Sequence, residues 1–127
     1  MDSLVAAVDR ALVAHRFRFA DERELQAGID QVLRAAGLSV AREASLGDAG
    51  TIDFLVSPGP SGEAGGLGVE VKTRGSRADL VRQLHRYLQH PSLSAVLVVT
   101  TRAALGRIPP SMCEKPVFVH HLVSGAF

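Results

Sequence analysis

The segment Ser94-Ala-Val-Leu-Val-Val-Thr100 has no polar side. Successive side chains of a strand point to opposite faces, so a run of this kind forms a strand only where its sheet is covered on both faces. A chain that also carries amphipathic helical segments is therefore expected to be α/β, a sheet with helices packed on it. Its 127 residues, 46% hydrophobic and 21% charged, suit one core rather than two.

The helical segments are legible from spacing and end signals. Asp2 or Ser3 is placed to cap a first helix reaching about His15, with Leu4, Val5, Val8 and Leu12 on one side. After a break at Arg16 to Ala20, Asp21 is placed to cap a helix from Glu22 to Ala36, ended by Gly37, with an apolar stripe of Leu25, Ile29, Val32, Leu33 and Ala36. The period then changes, and strands are predicted at Ser39 to Ser45, Thr51 to Ser57 and Leu67 to Thr73. The last two are joined by Pro58 to Gly66, whose turn residues predict a poorly ordered hairpin loop. A helix from Arg77 to Gln89 turns Leu80, Val81, Leu84 and Leu88 inward, and Pro91 lies beyond its end. The doubly buried strand follows, then a helical turn at Arg102 to Leu105, a loop at Ile108 to Pro110 and a last strand from Pro116 to Leu122. Three sequential strands form a meander, and a helix leading to a parallel strand adds a right-handed crossover, giving a mixed sheet flanked by helices.

Composition narrows the function classes. Fourteen basic and thirteen acidic residues leave a formal charge of +1, so any basic surface is local. From Val71 to His90, Lys72, Arg74, Arg77, Arg82 and Arg86 face only Asp79, a local +4. No apolar run approaches the roughly 20 residues of a membrane span, and Asp2 and Asp9 stand where a signal peptide is basic, so a cytoplasmic protein without membrane contact is expected. The single Cys113 excludes an internal disulfide framework and a multi-cysteine zinc site. His15, His85, His90, His120 and His121 have no zinc-ligand spacing and read as surface or capping residues.

Chemistry is concentrated in two strands and two helices. In Gly68-Val-Glu-Val-Lys-Thr73, Glu70 and Lys72 share one face and Val69 and Val71 the other. In the preceding strand Ile52, Phe54 and Val56 form one face, and Asp53, a residue poor in strands and costly to bury alone, interrupts the other. Pairing of these strands brings Asp53 near Glu70, and two carboxylates at that distance repel unless a cation such as Mg²⁺ lies between them. The plainer alternative is that Glu70 and Lys72 form a solvated pair on an exposed strand. Helix phase turns Glu22 toward the sheet and Glu24 toward water. Gln83 and Tyr87, four residues apart, stack on one flank of their helix. The basic residues number twelve Arg and two Lys, which makes a Lys beside Glu70 informative.

Glu22, Asp53, Glu70-Val-Lys72 and Gln83-Leu-His-Arg-Tyr87, in this order, resemble the PD-(D/E)xK nuclease superfamily, with the Gln-x-x-x-Tyr element of its RecB-like branch. The opening Glu22-Arg-Glu-Leu25 is also similar to that of archaeal-type Holliday-junction resolvases. The similarity runs from about Asp21 to Thr100, with Ile52 where the name-giving Pro would stand. The resemblance implies a restriction-endonuclease-like core of α-βββ-α-β order with an extra N-terminal helix and C-terminal strand. Within one domain of residues 1–127, the accessory helix occupies 1–20, the motif-bearing core 21–100 and the last loop and strand 101–127.

The implied activity is hydrolysis of DNA phosphodiesters, an endonuclease-type reaction, by a water activated by Mg²⁺ or Mn²⁺. Catalytic roles fall to Glu22, Asp53, Glu70 and Lys72. The metal is held by Asp53, Glu70 and the main-chain carbonyl of Val71, with Glu22 completing the shell directly or through water. Gln83 and Tyr87 position substrate, and Arg74 and Arg77 contact DNA phosphates. A homodimer or a partner subunit would supply specificity, since no separate recognition segment is evident. Two alternatives stay open from sequence: a catalytically silent nuclease fold that binds DNA or a protein, and an RNA-cleaving enzyme. Five Phe, one Tyr and no Trp offer little for stacking unpaired bases, which weighs against RNA.

Overall fold

The computed structural model describes residues 1–58 and 65–122. Within them the elements run α1 (Asp2–Val13), α2 (Glu22–Ala35), β1 (Ser39–Ser45), β2 (Thr51–Ser57), β3 (Gly66–Lys72), α3 (Arg77–Leu88), β4 (Leu93–Thr100), β5 (Ser111–Met112) and β6 (Lys115–His121). One sheet of six strands has the order β1-β2-β3-β4-β6-β5. β1, β2 and β3 form an antiparallel meander; β4 lies parallel to β3 and β6 parallel to β4. The fold is α/β with a mixed sheet and three helices, as the segment pattern predicts. The loop expected over 58–66 falls mainly on residues 59–64, which lie outside the described residues.

The helices divide between the two faces. Leu12, Leu25, Ile29 and Leu33 of α1 and α2 pack on Val69 and Val71 of β3 and on Ala95, Leu97 and Val99 of β4. Leu80, Leu84 and Leu88 of α3 pack on the other face, against Leu93, Val96 and Val98. Every residue from Ala95 to Thr100 is buried, so the run without a polar side is the centre of the sheet. The two helices that flank the site have their starts tied by side chains: the Glu24 N–H donates to Asp21 at 2.9 Å and the Asp79 N–H to Ser76 at 3.0 Å. Gly37 follows α2 with φ 83°, the left-handed geometry for which glycine is favoured. No helix among the described residues is long and apolar enough to cross a membrane.

Three details depart from the sequence pattern. Ile52 does not share a face with Phe54 and Val56; it packs with α3, while they pack with α1 and α2. The alternation therefore breaks at Asp53. Across from it, the β1–β2 register passes from Arg42↔Phe54 to Ala44↔Ile52, skipping Glu43, which has φ 51°. Gly68 accommodates the displaced Ile52, because a Cβ on it would stand 2.5 Å from Ile52 Cδ1. Second, α1 starts at Asp2 with Met1 at its cap position and no side-chain capping bond, so neither Asp2 nor Ser3 caps it, and it ends at Val13, two residues short of His15, whose ring bonds the Ala11 carbonyl. Third, the stretch after Pro110 contains the short β5, which turns into β6 through Cys113 and Glu114, both at positive φ.

Candidate functional site

The site lies where β2 and β3 part. Their register is Val56↔Leu67, Leu55↔Gly68, Phe54↔Val69, and it stops there. Its next step would set Asp53 against Glu70. Instead of a main-chain ladder, the Asp53 N–H donates to Glu70 Oε1 at 3.2 Å and the Val71 N–H donates to Asp53 Oδ2 at 2.8 Å. Each carboxylate thus takes the place of a backbone carbonyl, so both acidic side chains sit in the opening with their main-chain donors satisfied. In an extended strand the N–H and C=O of one residue point to the same edge, so the Val71 carbonyl also faces this opening.

Burial sets the electrostatics. Glu70 is 3% exposed, which excludes the solvated-pair alternative, and Asp53 is half-buried. Desolvation, reinforced by the charge of Asp53, pushes the Glu70 carboxyl up to about 8. Asp53 is also raised by burial, although the Val71 N–H and a hydrogen bond with Glu70 oppose the rise. The pair therefore holds a proton near neutrality. Lys72 Nζ stands 3.7 Å from Glu70 Oε2, with its own side chain only 26% exposed. That attraction is too weak to offset burial, and a second positive charge in the opening would release the proton.

Glu22 reaches the site from the first turn of α2. Its Oε1 accepts the Thr73 N–H at 2.8 Å and the Thr73 hydroxyl at 3.1 Å, and its charge adds to the rise at Asp53. Glu24, two residues on, is exposed, as the helix phase predicts. Both bonds tie Glu22 to the exit of β3, beside the Asp53–Glu70 pair.

Gln83 and Tyr87 come from α3. The Tyr87 hydroxyl donates to the Thr51 carbonyl at 2.8 Å and accepts from Gln83 Nε2 at 2.9 Å. Tyr87 is 3% exposed, and burial, with the nearby charge of Glu70, raises its hydroxyl to about 12. It remains a neutral donor at any physiological pH, anchoring the start of β2 two residues before Asp53.

The basic residues separate into two groups. Arg77 donates from Nε to the Arg107 carbonyl, and Arg102 bonds the Gly75 carbonyl at 3.0 Å. Arg74 is exposed beside Lys72, and with it Arg82 and Arg86 line one pocket. Thr73, the partner of Glu22, carries no signal in the sequence because its bond spans 51 positions. The pocket positions of Arg82 and Arg86 do carry one, the i and i+4 spacing that sets them on one strip of α3. The histidines form no cluster among the described residues: His120 bonds Asp9 at 2.9 Å and His90 accepts from the Ser92 N–H at 3.1 Å. No family model, curated protein or solved structure matches this chain.

Proposed function

We propose that this chain is a divalent-cation-dependent phosphodiesterase acting on DNA, with a restriction-endonuclease-like core of the PD-(D/E)xK type. The observation that carries the reading is the buried Asp53–Glu70 pair, two carboxylates inserted between parted strands and kept from full ionisation by burial and, at Glu70, by the charge of Asp53. Carboxylate and main-chain oxygens are the donors that a hard cation selects, and burial of two such groups makes a cation the natural source of neutralisation. Asp53, Glu70 and the Val71 carbonyl would hold Mg²⁺ or Mn²⁺. When bound, the ion supplies Lewis-acid polarisation at phosphorus and a more acidic water.

The chain's own residues do the rest. Glu70 would give up its proton to a bound cation, and Asp53 is held in place by the Val71 N–H. Lys72, beside Glu70 and partly exposed, orients the attacking water or a phosphate oxygen and offsets charge as it develops. Glu22 fixes the exit of β3 through Thr73 and adds negative charge beside the pair. Tyr87 and Gln83 hold the start of β2 in register with the site. DNA is favoured over RNA because Tyr87 is buried and Phe17, Phe19, Phe54 and Phe118 pack into the core, leaving no aromatic platform among the described residues.

The test is incubation of the purified chain with supercoiled plasmid, linear duplex, single strand, four-way junction and RNA, in Mg²⁺, Mn²⁺ or EDTA. Metal-dependent cleavage of a DNA substrate, absent with Asp53→Ala, is the expected result. Binding of DNA without cleavage of any substrate would favour the catalytically silent alternative.

A further inference from the structure

Beside the carboxylate pair, on the side of α3, lies a pocket of about 330 Å³, at the small end of the range for ligand sites. Its charged lining is Lys72, Arg74, Arg82 and Arg86 against Asp79 alone, and Gln83 adds an amide. The acidic residue is already engaged, since the Asp79 carboxylate pairs with the Arg82 guanidinium. Arg86 is fixed in place: its Nε donates to the Ala49 carbonyl at 3.0 Å, and its guanidinium lies 5.7 Å from the Tyr87 ring centre. That bond uses one of its five donors and leaves the others free. Arg74 makes no hydrogen bond or ion pair with any described residue, and Gln83 donates to Tyr87 through Nε2 while a second N–H remains. The pocket therefore holds an excess of positive charge and many unused donors, with no carboxylate free to neutralise them.

We infer that this pocket binds a phosphate of the substrate strand other than the one being cut, the neighbour of the scissile group. The inference rests on the phosphodiesterase reading for the scissile group itself. Lys72 supplies the link, because it both lines the pocket and stands 3.7 Å from Glu70, so a phosphate seated among the arginines lies next in line to one at the carboxylates. A tetrahedral anion with several acceptor oxygens suits guanidinium forks converging from two directions, Arg74 from the exit of β3 and Arg82 and Arg86 from one strip of α3. The consequence is that a substrate needs two consecutive phosphates for full affinity. Arg77, with its Nε turned onto Arg107, lies outside this subsite.

The experiment measures binding of a fluorescent DNA duplex in EDTA at several salt concentrations, and in parallel cleavage in Mn²⁺. The proteins are the full chain, Arg74→Gln/Arg82→Gln, Arg74→Lys/Arg82→Lys, and a control, Arg34→Gln, on the far end of α2 where Arg34 pairs with Asp30. Arg74 and Arg82 are exposed, so the variants should fold, and matching thermal melts verify it. The Gln pair is expected to weaken binding about tenfold and lower the salt slope by about 1, with Lys restoring much of the affinity and Arg34→Gln changing neither. If wild type cleaves DNA and the Gln pair binds and cleaves like it, or if Arg34→Gln has the same effect, the subsite is overturned and the phosphodiesterase reading stands. If binding depends on these arginines but no substrate is cut in any metal, the pocket survives as a phosphate site and the hydrolytic reading falls.

Discussion

Asp53 and Glu70 exchange backbone donors: the N–H of Asp53 is held by the Glu70 carboxyl, and the N–H following Glu70 is held by the Asp53 carboxylate. This reciprocal arrangement opens β2 from β3 while the main-chain N–H groups of Asp53 and Val71 stay paired. It also places two acids in a volume that favours only one negative charge.

The metal-free protein is therefore expected to lose stability as pH rises. Unfolded, Glu70 releases its proton near its ordinary 4.5; folded, it keeps it until about 8. Between those values the folded state binds more protons, so raising pH favours unfolding. The stability this proton provides is fully present below about 4.5 and is lost as pH rises through about 8, and the raised Asp53 acts in the same direction. Melts in EDTA from pH 5 to 8.5 check this, and Glu70→Gln should flatten the decline. A wild-type curve that rises over this range would contradict it.

Glu22→Gln separates tether from charge. The amide oxygen can still accept from the Thr73 N–H and hydroxyl, so the fold and melting point should hold. Cleavage is expected to fall roughly a hundredfold, the lower end of the range for loss of an electrostatic contributor. Glu24→Gln, at an exposed position, should leave activity nearly intact. Equal effects of the two substitutions would mean that the charge of Glu22 plays no part.

Tyr87→Phe removes the donor to the Thr51 carbonyl and the acceptor of Gln83. Loss of this part-buried hydrogen bond costs about 0.5–1.5 kcal/mol, so the variant should melt a few degrees lower. Cleavage should weaken through loss of β2 positioning, while affinity for Mn²⁺ stays within a few-fold of wild type. A large loss of metal binding would place Tyr87 closer to the ion than its bonds to Thr51 and Gln83 do.

Lys72→Arg tests the one non-arginine base in the site. The wider, permanently protonated fork does not reproduce the compact ammonium that stands 3.7 Å from Glu70. Metal binding and fold should persist while cleavage drops roughly a hundredfold. Activity within a few-fold of wild type would reduce Lys72 to a general phosphate-attracting charge.

Much of this architecture was legible in local pattern. The doubly apolar run became the central β4, and β1 and β2 have the bounds read from the sequence because turn residues mark both ends. Asp53 and Glu70 were brought together by hairpin logic alone. The face of Ile52 was not legible, since alternation assumes a regular strand and the inserted carboxylates break it at Asp53. β5 escaped for a related reason: Cys113 and Glu114 adopt left-handed geometry without the Gly or Asn that announces such a turn. The Glu22–Thr73 tether and the docking of Arg77 on Arg107 join distant segments, and no periodicity encodes them.

The central claim is that the Asp53–Glu70 pair is a divalent-cation site, and calorimetric titration with Mn²⁺ near pH 7 tests it most directly. Run in two buffers of different ionisation heat, the titration counts protons as well as ions. Because Glu70 holds its proton until about 8, binding should release close to one proton per ion in the wild-type chain. Asp53→Ala should abolish binding, and Glu70→Gln should weaken it and end the proton release. Absence of Mn²⁺ binding, or binding that persists unchanged in Asp53→Ala, would contradict the claim.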